Sequence, residues 1–82
     1  MTRDFAKIAC EILDILREEK NIKDVLLMAR LGFTPDNWRH WRPYLIELFA
    51  LVSYEKENSE DNNIKETVVY DKKQKLWTIQ DV

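Results

Sequence analysis

The sequence has few of the residues that staple or interrupt a small fold: one cysteine, one glycine and two prolines in 82 residues. With Cys10 alone there is no internal disulfide and no multi-thiolate zinc site, so packing must hold the chain together. Scarce glycine also means no Gly-rich loop to cradle phosphates, and neither a Gly/Ser linker nor an internal repeat divides the chain. The one histidine, His40, and Cys10 fall on different predicted helices, with no serine nucleophile motif beside either. No two carboxylates have a spacing that marks an acid and base couple, so the expectation is a non-enzyme without cofactor or metal. No apolar run approaches membrane-spanning length and no signal-peptide core follows the first residues. These absences predict a cytoplasmic protein without a membrane partner.

Charge of one sign is also missing. A formal net charge of -2 gives no overall attraction to nucleic acid or to an anionic surface, so any such binding must come from local clustering. Hydrophobic residues at 45% and charged residues at 34% place the chain among globular proteins. A chain this short buries roughly 60% of the surface its unfolded form exposes, which allows one core and one domain over residues 1–82.

Periodicity then sets the elements. Phe5, Ile8, Ala9, Ile12, Leu13 and Leu16 follow the i, i+3, i+4, i+7 spacing of an amphipathic helix, predicted from Asp4 to Lys20, with Lys7, Glu11, Asp14 and Glu18 opposite. Asn21 reads as the N-cap of a second helix with an inner stripe of Ile22, Val25, Leu26 and Ala29. That helix ends near Leu31, before Gly32. Thr34-Pro35 repeats the start signal for a third helix, in which Trp38, Trp41, Leu45, Leu48 and Val52 share a stripe beside Phe49. Pro43 removes one backbone hydrogen bond, which predicts a bent helix to about Leu51.

From Val52 the period changes to two. Val52 and Tyr54, Thr67 to Tyr70, and Leu76 to Ile79 read as three antiparallel strands, the last two joined by a turn over Asp71, Lys72, Lys73 and Gln74. The polar run from Glu57 to Asn63 interrupts them. Between Glu55 and Glu66, carboxylates at Glu55, Glu57, Glu60, Asp61 and Glu66 outnumber Lys56 and Lys65.

A helix, a short helix, a turn at Gly32, a capped helix, then Ala50-Leu51-Val52 running into a strand and a polar loop: this succession resembles the winged helix-turn-helix superfamily over nearly the whole chain. The resemblance implies an α+β fold of three helices followed by a small antiparallel sheet, with a loop between later strands as the wing. It also implies double-stranded DNA as partner, read in the major groove by the third helix, and dimerisation through helix-helix contact.

The densest candidate site is Trp38-Arg39-His40-Trp41-Arg42, where basic and aromatic residues alternate. Trp38 and Trp41 fall on the stripe of Leu45 and Leu48 and are expected in the core, which leaves Asn37, Arg39, His40 and Arg42 as readers. Asp36 and Glu47 share that outer side, so the surface is of mixed sign. Arg30, Lys72, Lys73 and Lys75 would add phosphate contacts if the fold brings them beside the third helix; taken singly, each reads as a solvated charge. On the first helix, Cys10 with Ala6, near Leu13 and Arg17, forms a flank with two readings, a homodimer contact or incidental packing. Two functions compete: a DNA-binding transcriptional regulator, or a winged-helix module that assembles with protein. The acidic balance, the acidic loop and Pro43 favour the second.

Overall fold

The computed structural model describes residues 4–55 and 65–82, so the acidic positions Glu57, Glu60 and Asp61 lie outside the described residues. The described elements run α1 (Phe5–Glu19), β1 (Asn21–Lys23), α2 (Asp24–Leu31), α3 (Pro35–Leu51), β2 (Tyr54–Glu55), β3 (Lys65–Asp71) and β4 (Leu76–Asp81).

The first helix follows its sequence pattern. Asp4 caps it by accepting from the Ala6 amide at 3.0 Å, and Ile8, Ala9, Ile12, Leu13 and Leu16 are all buried. Lys20 ends it with φ at 72°, an uncommon value for a residue with a Cβ, and turns the chain into β1.

Two expectations fail at the next step, for one reason. Asn21 is not an N-cap: it opens a strand, and α2 starts at Asp24 behind Lys23, which makes no side-chain cap. The strand forms because β4 offers a partner more than fifty residues away, pairing Asn21 with Thr78, Ile22 with Trp77 and Lys23 with Leu76. The predicted stripe of Val25, Leu26 and Ala29 faces outward, with Val25 62% and Leu26 56% exposed. Asp24, Leu27 and Leu31 are buried instead. The helix is rotated so that a carboxylate points inward, where it finds donors described below.

Gly32 takes the left-handed conformation at φ 78° and closes α2 as expected. Thr34 then accepts from the Asn37 amide at 3.3 Å, and Pro35 opens α3, which continues through Pro43 to Leu51. Trp38, Leu45 and Phe49 are buried while Trp41 and Leu48 are half-buried. Val52 does not continue the stripe; it is already extended and 37% exposed.

Among the described residues the sheet has four strands in the order β1-β4-β3-β2, all antiparallel, rather than three strands after the helices. Its additional strand comes from between α1 and α2. The expected strand at Val52 starts only at Tyr54 and spans two residues. Trp77 on β4 is fully buried beneath the helices, within edge or tilted contact of Trp38, Phe49 and Tyr70. Thr67 on β3 ties the sheet to the end of α3: its hydroxyl lies 2.8 Å from the Phe49 carbonyl and 3.0 Å from that of Val52.

Candidate nucleic-acid interface

The site is organised around Asp24. As the first residue of α2 its carboxylate sits where helix amides carry partial positive charge, and the rotation of the helix turns it into the core at 8% exposure. Its Oδ1 accepts from the indole Nε1 of Trp38 at 2.9 Å and of Trp77 at 2.8 Å. Its Oδ2 accepts from Arg42 Nη1 at 2.6 Å. A buried carboxylate is tolerable only when its lone pairs are satisfied, and here three donors from α3 and β4 do so.

Arg42 is thereby fixed at the domain surface. Its guanidinium also lies 5.7 Å from the centroid of the Tyr70 ring, and its side chain is 30% exposed. Burial above all, and then the Asp24 charge, push the Tyr70 phenol above its usual 10.0, with Arg42 acting in the opposite direction.

Around this pair the surface is concave. One cleft of about 460 Å³ is lined by Lys23, Asp24, Val25, Arg42, Tyr70, Gln74 and Lys75. A second of about 450 Å³ is lined by Arg42, Pro43, Ile46, Tyr70, Lys72 and Lys75. The clefts share Arg42, Tyr70 and Lys75, so they form one surface between α3 and the β3–β4 hairpin. That hairpin is held by Asp71, whose Oδ1 accepts from the amides of Lys73 at 2.9 Å and Gln74 at 3.3 Å. The Lys75 carbonyl accepts from the Asp24 amide at 2.9 Å, which docks the turn against the start of α2.

The structure thus joins three of the predicted site residues, Arg42, Lys72 and Lys75, on one concave face. The chain matches no protein-family model, no curated protein and no solved structure. Asn37, Arg39 and His40 are exposed on α3 outside the two clefts, with His40 in edge contact with the Tyr44 ring at 5.9 Å. Lys73 is exposed on the turn. Arg30 belongs elsewhere: it pairs with Glu19 at 3.2 Å beside a different groove.

Sequence reasoning missed Asp24, Lys23 and Tyr70. Asp24 looks like an ordinary first-turn acid, and nothing local shows that two distant indoles point at it. Lys23 joins the site through the strand that sequence reasoning also missed, where its Nζ lies 3.5 Å from the Gln74 carbonyl. Tyr70 could have been found, since it ends a β-prone run just before the lysine-rich turn.

On α1, Ala6 and Cys10 are exposed, but Leu13 is buried and Arg17 is committed inward. Arg17 Nε donates to the buried Glu66 at 2.5 Å and its Nη2 to the Glu55 carbonyl at 2.9 Å. Half of the strip expected at a homodimer contact therefore packs within the domain. No helix among the described residues is long and apolar enough to cross a membrane.

Proposed function

We propose that this chain is a winged helix-turn-helix protein that binds duplex DNA through α3 and the β3–β4 hairpin. The observation that carries the reading is the meeting of Lys23, Arg42, Lys72 and Lys75 on one concave surface whose one lining carboxylate among the described residues, Asp24, is already occupied. Whole-chain charge argues against polyanion binding; this local cluster opposes it, because a phosphate backbone samples the field of the face it meets. Three helices on an antiparallel sheet, with a lysine-bearing hairpin beside the third, agree with the resemblance in the sequence. In this reading the hairpin lysines hold the backbone and the exposed Asn37, Arg39 and His40 face base edges as a transcriptional regulator would require.

Fluorescence anisotropy with a random duplex at low salt tests it. Wild type should bind at micromolar concentration, and Lys72→Ala with Lys75→Ala should lower the slope of log K against log salt by about 2. Absence of binding at low salt would instead favour a module that assembles with protein. The exposed Val25 and Leu26 on α2 support that second reading, since an isolated domain gains nothing by leaving them in water.

A further inference from the structure

Among the described residues, β1 is one of the two edge strands of the sheet. On one side it is bonded to β4, where the Ile79 amide donates to the Lys20 carbonyl at 3.3 Å and the Asp24 amide to the Lys75 carbonyl at 2.9 Å. In an antiparallel ladder such bonds recur at alternate residues, so residues 20, 22 and 24 address β4. The backbone groups of Asn21 and the amide of Lys23 therefore point away from the sheet, along its free edge. Both residues are exposed. An open edge of this kind is a template for another strand unless something blunts it.

Beside this edge runs a groove of about 500 Å³ with Ile22, Leu26, Ala29 and Leu76 along it and Glu19 and Arg30 at its rim. Leu26 stands 56% exposed and its neighbour Val25 62%. Bare strand edge and apolar helix face are thus contiguous, a combination that recognises an extended strand carrying its own apolar neighbour.

We infer that the occupant is a second copy of this chain, bound about a two-fold axis through Ile22. A two-fold contact must be self-complementary, and three features of the patch meet that condition. Antiparallel pairing centred on Ile22 sets Asn21 of each copy opposite Lys23 of the other, so no like charges face each other across the strands. In that register the Lys23 amide of each copy donates to the Asn21 carbonyl of the other. The rim carries both signs, with Glu19 and Arg30 side chains 46% and 43% exposed, so a copy turned about the axis offers each its opposite. The four-stranded sheet continues across the contact, and Leu26 of each α2 fills apolar space on the other copy. Lys23 lines both this groove and the cleft proposed for DNA, whereas Leu26 and Ala29 line the groove and neither of the two clefts, so substitutions there test the contact separately from duplex binding.

Sedimentation equilibrium of the full chain, from low micromolar to millimolar, tests the contact. The mass of wild type should rise to that of a dimer over this range. Leu26→Glu and, separately, Ala29→Glu should weaken association roughly tenfold or more, because each buries a carboxylate in an apolar contact. Both side chains are exposed in the single copy, so the circular dichroism spectrum and the duplex binding of each variant should stay unchanged. Cys10→Ser should associate as wild type does. A wild type that stays monomeric at millimolar concentration overturns the proposal and leaves the groove to a foreign strand. A dimer indifferent to both glutamates overturns it as well.

Discussion

The Asp24 carboxylate of α2 and the Trp77 indole of β4 are joined by a 2.8 Å hydrogen bond between residues 53 positions apart, both buried. The same oxygen accepts from Trp38, so one acid connects a helix start, the middle of the sheet and the helix proposed to face DNA. Such a hub is specific because its two indole donors, Trp38 and Trp77, are themselves buried and away from water.

Asp24→Ala should therefore be among the most costly single substitutions. It strands two indole N–H groups and one guanidinium, and the expected loss is about 3 kcal/mol of unfolding free energy by urea titration. A loss below about 0.5 kcal/mol, the size typical of a surface change, would show that the hub is not needed for the fold.

Arg39 and Arg42 should separate cleanly, although both are candidate readers in the sequence. Arg39→Ala, at an exposed position, should weaken duplex binding without moving the denaturation midpoint. Arg42→Ala should weaken binding and also lower stability, by about 1–3 kcal/mol, since it leaves Asp24 Oδ2 without its charged donor. Equal stability of the two variants would contradict the role given to the Arg42–Asp24 pair.

Alkaline pH should expose the two constrained phenols. Burial is the main cause raising both Tyr54 and Tyr70 above 10.0, assisted by Cys10 for Tyr54 and chiefly by Asp24 for Tyr70. The folded state thus holds these protons more tightly than the unfolded state does. Their contribution to stability is complete below pH 10.0 and is lost as pH rises through the folded values. Denaturation midpoints measured in that alkaline range should fall, and the fall should be shallower in Tyr54→Phe with Tyr70→Phe. An identical decline in the double variant would sink this assignment.

Thr67→Val keeps the shape of the side chain and deletes the hydroxyl that reaches the carbonyls of Phe49 and Val52. The expected cost is about 1 kcal/mol, read by thermal or urea denaturation, with helix content maintained. A neutral or stabilising change would mean that solvent satisfies the end of α3 equally well.

Local signals were sufficient for much of the helical half. The Phe5 to Leu16 stripe, the Gly32 turn and the Thr34-Pro35 start are each written within a few residues, and each is realised. The hairpin runs at Thr67 and Leu76 are equally local. The lysines of the turn were legible as charges, but their position beside Arg42 was not.

What the sequence by itself determined was therefore the three described helices, the end of α2 at Gly32, the start of α3 at Thr34-Pro35 and the composition of the late strands, because these depend on neighbours within one or two turns. Tertiary structure alone decided that Asn21 to Lys23 become a strand, which way α2 rolls, and where Arg42 is held. Those choices hinge on Ile22 finding Trp77 and Asp24 finding two indoles, contacts between distant parts of the chain whose favourable pairing overrides the local preference of an Asn for a helix start.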